Sequence, residues 1–190
     1  MADPEKLRLF VAVRVPADHL RAVDAALGPQ RERFAAARWI PVDNQHVTLK
    51  FLGWTTEDRL ADIRVAAAAA AASVEPGRVR LTTLGAFPSA RRARVLWVGI
   101  DDPEAVMTTS AKALDDRLVP LGFQAEEREF HPHLTLARFK VPRPLPEDLP
   151  DVTAGLGAFD VDEIVLFRSR LHPKGARYEA LDAVPLGSGR

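Results

Sequence analysis

One tetrapeptide occurs twice in this chain, once in each half: His46-Val47-Thr48-Leu49 and His133-Leu134-Thr135-Leu136. Strand-forming residues flank both copies. The first runs on into Lys50-Phe51-Leu52-Gly53 and the second into Ala137-Arg138-Phe139. Side chains alternate between the two faces of a strand. His46 and Thr48 therefore share one face and Val47 and Leu49 the other, and the second copy repeats the pattern. Each motif offers an imidazole and a hydroxyl to one side from a strand anchored in apolar core on the other. A chain that does this twice is constrained to carry two comparable strand-bearing units facing one another.

The order of elements agrees. Residues 7–15 read as a strand and 17–37 as a helix broken at Gly28-Pro29. The first motif strand follows. Thr55 or Thr56 is placed to cap a second helix, with Glu57 and Asp58 in its first turn. The alanine-rich run from Val65 to Val74 belongs to that helix by propensity, and Pro76-Gly77 closes it. Two strands (78–84 and 94–100), a helix (104–119) and the second motif strand come next. The proline-rich stretch 141–150 reads as an irregular loop, and strands at 159–169 and 177–184 complete the chain. The expectation is an α+β, bilobal, duplicated fold: two antiparallel-rich sheets with outer helices facing a central cleft, residues 1–190 forming one such domain.

Bulk properties narrow the function classes. With 47% hydrophobic and 27% charged residues, the chain has a core to bury and is not disordered. Formal net charge is zero, so any polyanion site is a local patch. No cysteine is present, which excludes disulfides, thiol nucleophiles and cysteine-ligated metals. The N-terminus lacks a signal-peptide layout, and the longest near-apolar run is too short to span a bilayer. A soluble, cytoplasmic, monomeric protein is expected.

Two histidines can serve as acid and base in one turnover. Threonine hydroxyls hold a phosphoryl oxygen without a metal, and arginines add forked, charged hydrogen bonds. A phosphodiester, most economically a strained cyclic one, suits such a set. One histidine deprotonates water while the other protonates the departing ribose oxygen opposite. Because the motifs are symmetric, residues alone leave open which histidine does which.

The paired motifs resemble those of the 2H phosphoesterases. Lys50-Phe51-Leu52-Gly53, Gly85-Ala86-Phe87-Pro88, Arg94-Val95-Leu96-Trp97, Phe130-His131-Pro132-His133 and 171–178 (Leu-His-Pro-Lys-Gly-Ala-Arg-Tyr) are similar to the bacterial RNA 2′,3′-cyclic phosphodiesterase branch, LigT-like proteins also called 2′-5′ RNA ligases. The likeness covers about Leu7 to Leu186. It implies hydrolysis of a terminal 2′,3′-cyclic phosphate to a 2′-phosphomonoester without a cofactor or metal. It further implies His46 as proton donor, His133 as proton acceptor, and Thr48 and Thr135 as phosphate ligands. Substrates would be RNA ends or nucleotides bearing the cyclic phosphate.

Three further residues are candidates for substrate contact. Arg138 follows Thr135 closely, but strand parity puts it on the opposite face unless a bulge intervenes. Phe87 and Arg92, beside Arg91 and Arg94, suggest an RNA-contacting loop; a core phenylalanine on a solvated basic hairpin is the competing reading. His131 and His133 have the parity of a metal pair without an evident third ligand. Trp39, Trp54 and Trp97 read as core or lobe-edge residues. His19 reads as a helix-surface residue and His172 as part of a solvated turn. Three rival functions stand beside RNA-end hydrolysis: ATP-independent 2′-5′ RNA ligation, non-catalytic binding of RNA ends or nucleotides, and a phosphodiesterase acting on a small cyclic nucleotide phosphate. No Walker-type loop or adenylation motif is visible.

Overall fold

The computed structural model describes residues 5–170 and 176–187. The 171–175 turn with His172, and residues 188–190, lie outside the described residues.

Chain order is β1 (Lys6–Val13), α1 (Ala17–Ala26), α2 (Gly28–Arg33), β2 (Arg38–Trp39), β3 (Val47–Thr56), α3 (Leu60–Ala72), β4 (Gly77–Phe87), β5 (Ala93–Asp101), α4 (Val106–Leu118), β6 (His133–Arg143), β7 (Phe159–Val161), β8 (Glu163–Arg170) and β9 (Arg177–Pro185). The break between α1 and α2 falls at Leu27-Gly28, with Pro29 early in α2, where its missing N–H costs nothing. Neither Thr55 nor Thr56 caps α3. A 3-10 turn, Glu57–Arg59, intervenes, and Thr56 at its start makes no side-chain cap bond. The 159–169 strand is two strands split at Asp162, and β6 runs through Pro142 to Arg143, three residues into the expected loop, before it ends.

Strands follow the order β7-β4-β5-β6-β3-β1-β8-β9, with β2 added on β6. All described pairings are antiparallel. The order is symmetric about the β6/β3 junction, so each motif strand is the innermost strand of its lobe. The two expected sheets meet there through a single residue pair, Val47 with Leu134, and form one curled sheet. The lobes are not sequential halves. β8 and β9 return to pair with β1, so the first lobe holds both the first strand and the last two.

The helices cross over. α1 and α2 follow β1 of the first lobe but pack on the second: Phe34 meets Phe139 of β6 edge-on at 5.5 Å, and His19 meets Phe159 of β7 at 5.2 Å. His19 is thus a buried residue, not a surface one; its Nε2 reaches the Gly157 carbonyl at 3.1 Å. α4 follows β5 of the second lobe but packs on β3 of the first. There Lys50, only 6% exposed, pairs with Asp115 of α4 and donates to the Gln124 carbonyl. The core lies between the helices and the sheet, which leaves the other face of the sheet to line the cleft.

Candidate active site

Val47 and Leu134 are fully buried, side by side across the β3/β6 junction. Their sequence neighbours must rise from the opposite, cleft face. By antiparallel register, His46 lies opposite Thr135 and Thr48 opposite His133. The four residues form a quadrilateral about the junction, with the histidines at diagonal corners and the threonines at the others. Among the described residues neither threonine hydroxyl has a protein partner. The arrangement gives a phosphoryl group two neutral donors and a proton-transfer group on each of two opposed sides.

Both imidazoles are held alike. His46 Nδ1 lies 2.8 Å from the Asn44 carbonyl, and His133 Nδ1 lies 2.7 Å from the His131 carbonyl. A carbonyl only accepts, so each Nδ1 carries the hydrogen and each Nε2 is left for substrate. Asn44 is itself fixed by donating Nδ2–H to the Ala176 carbonyl at 2.7 Å.

The surroundings differ. His46 stacks on Phe10 with ring centroids 4.7 Å apart, and Tyr178 meets it edge-on at 5.1 Å. Phe167 backs Phe10 at 5.2 Å. Burial among these rings pushes His46 down from 6.5 to about 4, although the bond to Asn44 opposes the shift. His133 is also lowered, by burial first; the bond to the His131 carbonyl opposes this, and the charges of Arg138 and His131 add to it. Beside His133 the cleft opens into a recess of about 410 Å³ lined by Thr82, Thr83, Phe87, Trp97, His131 and His133, among others. Its shape follows from local sequence. Trp97 lies flat over Gly85, where a Cβ would sit 2.1 Å from the ring. A bulge in β4 between Leu81 and Leu84 turns Thr82 and Thr83 toward Gly99, the β5 partner of His133.

The structure resolves the parity problem at Arg138. Leu96 pairs with Ala137 but Trp97 pairs with Thr135, so Leu136 is an extra residue in β6. Leu136 and Ala137 are both buried, and Arg138 returns to the cleft face, exposed, with its charge felt at His133. The first motif repeats the device. Val11 pairs with Lys50 and Ala12 with Thr48, so Leu49 is extra. Leu49 and Lys50 are both buried, and Phe51, in the position corresponding to Arg138, stands 64% exposed on the cleft side.

Phe87 lines the recess: its ring meets His133 edge-on at 5.0 Å and lies 5.1 Å from that of Trp97. Of the two readings of Trp97, core or lobe edge, the structure favours the second: it lines the recess. Arg92 sits exposed on the 3-10 turn Ala90–Arg92, outside the recess lining. Trp54 is exposed, and Trp39 packs against the core. His131 turns toward Glu129 at 3.9 Å, and no cluster of three or more His, Asp or Glu suited to a metal occurs among the described residues. Sequence reasoning did not single out Phe10, Phe51, Tyr178 or Thr82. The signal for Phe51 was available in the motif spacing, since it lies as far past His46 as Arg138 lies past His133.

A family model described as the 2′-5′ RNA ligase superfamily matches residues 10–173. An RNA 2′,3′-cyclic phosphodiesterase of Methanothermobacter thermautotrophicus is 31% identical, covering 95% of this chain and all of that protein. Another, of Geobacillus stearothermophilus, is 31% identical over 93% of this chain, which spans 56% of that longer relative. The structure of E. coli LigT complexed with 3′-AMP superposes with a TM-score of 0.78 at 25% identity, covering 96% of this chain and 99% of LigT. On the match of the family model over residues 10–173 and of a relative over 95% of its length, the chain belongs to the 2′-5′ RNA ligase superfamily.

Proposed function

We propose that this chain hydrolyses RNA 2′,3′-cyclic phosphate ends to 2′-phosphomonoesters, with His46 as proton donor to the departing 3′ oxygen and His133 as acceptor from water. The observation that carries the reading is the diagonal placement of two Nδ1-anchored histidines about the Val47–Leu134 pair, with Thr48 and Thr135 at the remaining corners. In-line displacement needs attacking and departing oxygens on opposite sides of phosphorus, which that diagonal supplies. Thr48, Thr135 and Arg138 stabilise the equatorial oxygens.

Burial keeps His46 neutral at pH 7 in the free enzyme. A donor must be protonated, and the bound phosphate supplies the means: a negative charge beside the imidazole raises its pKa. The face of Phe10 stabilises the resulting imidazolium further. His133 then finds its Nε2 lone pair free for water. Phe51 offers a flat apolar face for the terminal base on the cleft side, and Phe87 and Trp97 wall the water side.

The recess beside His133 favours a second reading of the same site. It has room for a nucleoside next to the residue that activates the nucleophile. An RNA 5′-hydroxyl placed there would attack in place of water and form a 2′-5′ linkage, its proton passing to His133 while His46 protonates the 3′ oxygen.

The test is turnover of 2′,3′-cyclic AMP and of a short RNA ending in a cyclic phosphate, in EDTA, beside His46→Ala and His133→Ala. Release of the 2′-phosphate, reduced on the order of 10²–10⁴-fold in each variant, is expected. Folded wild-type protein that turns over neither substrate overturns the reading.

A further inference from the structure

Arg38 and Arg138 are direct partners across the β2–β6 ladder. Directly opposed residues of an antiparallel pair rise from the same face, with Cβ atoms about 4.5–5.5 Å apart. Their ladder neighbours, Trp39 and Ala137, face the core, so both arginines stand on the cleft side. Two like charges so placed repel. Elsewhere Arg14, Arg31, Arg33, Arg168 and others each have a carboxylate partner. Among the described residues neither Arg38 nor Arg138 has one. Lys140, exposed two positions beyond Arg138, extends the cationic row. In a chain of zero net charge this is a local site for anions.

The two arginines are not equivalent. Arg138 is felt at His133 and so serves the reacting phosphate. β5 takes one edge of β6, so Arg38 lies on the edge that β3 takes at Leu134, further along β6 from the junction and on a strand only two residues long. That strand is firmly mounted. Trp39 Nε1 donates to the Phe34 carbonyl at 3.3 Å, the Arg31 guanidinium lies 4.6 Å from the Trp39 ring, and Ile40 N–H donates to the Leu136 carbonyl at 2.8 Å. A well-anchored backbone thus presents an unpaired guanidinium on the same edge of β6 as β3, displaced along β6 from the four motif residues.

We infer that Arg38 binds the phosphodiester immediately 5′ of the terminal nucleotide and is the residue through which this chain prefers an RNA end to a mononucleotide. The inference rests on the reading of the site as one for RNA ends. An upstream phosphate between Arg38 and Arg138 removes their repulsion, and the planar fork of Arg38 suits it in a way that a lysine does not.

The experiment compares wild type, Arg38→Gln and Arg38→Glu on 2′,3′-cyclic AMP and on a hexaribonucleotide ending in a cyclic phosphate, over a series of salt concentrations. In Arg38→Gln, kcat and KM for the mononucleotide should stay at wild-type values. For the hexamer, KM should rise roughly tenfold with kcat unchanged, as loss of one charged hydrogen bond requires. The log–log salt dependence of kcat/KM should become shallower by about one phosphate contact. Arg38→Glu should exaggerate both effects. Unchanged hexamer kinetics with the wild-type salt slope would overturn the inference, as would equal loss on both substrates. Fluorescence anisotropy with a labelled hexamer ending in a 2′-phosphate gives the same comparison without turnover. If wild type proves inactive on both substrates, the hydrolase reading fails, and the salt slope of binding still decides whether Arg38 holds an RNA phosphate.

Discussion

Val47 and Leu134 are the one residue pair through which β3 meets β6, and both are fully buried. The four motif side chains take their positions from this contact. Leu134→Ala should cost about 3 kcal/mol through the cavity it leaves. At a temperature where the variant is still folded, kcat/KM should fall well beyond any loss of folded protein, because the two motifs lose their common reference. Denaturant midpoints measured beside kinetics separate the two effects; a destabilised protein of full specific activity would count against a positioning role.

The pH dependence follows from the two lowered imidazoles. Catalysis needs one histidine protonated and one neutral, so kcat/KM should be bell-shaped between the free-enzyme values. Both lie below the usual 6.5. The optimum of kcat/KM should therefore be acidic and fall as pH rises past neutrality. The profile of kcat should be displaced to higher pH, since bound phosphate raises both values. A kcat/KM that is flat from pH 5 to 9 would contradict the mechanism.

Stability should respond to the same burial. The folded-state value for His46 lies below its unfolded one, so its contribution is present above pH 6.5 and lost as pH falls through about 4. Discounted for partial exposure, the loss is roughly 2–3 kcal/mol. His46→Gln should flatten the acid limb of a urea-midpoint series against pH.

Thr48→Val and Thr135→Val keep the β-branch and remove the hydroxyl. Each should lower kcat/KM about 10–100-fold, by the loss of one hydrogen bond to a charged oxygen, without shifting the melting temperature appreciably. Equal activity in both would remove the threonines from the phosphate site.

Lys50→Met leaves Asp115 facing the core without its cation, and should destabilise the fold by about 3–5 kcal/mol. Lys50→Met/Asp115→Leu should recover most of that. The recovery is read in a double-mutant cycle of denaturant midpoints.

The motifs carried their own geometry in the sequence: strand parity put His46 with Thr48 and His133 with Thr135, and the register confirms those faces. Element order also made the duplication legible. The exchange of helices between lobes was not, because α1 and α4 are amphipathic whichever sheet they cover. The bulges at Leu49 and Leu136 have no composition of their own either. They show only as two consecutive buried residues in a strand, and without them Arg138 and Phe51 fall on the wrong side. β2 escaped notice because two residues are too few for any period to register. The reading of Trp97 stays open between core and lobe edge because nothing local says that Gly85 lies beneath its ring.

The crossed helices have a mechanical consequence. A pair of lobes joined at one residue pair resembles a hinge, but this one is clasped. Opening it would pull α4 from β3, breaking the Lys50–Asp115 pair, and pull α2 from β6, separating Phe34 from Phe139. Any widening of the cleft therefore has to break contacts on both lobes at once. The placement of the four motif side chains is thus set by the same packing that closes the core.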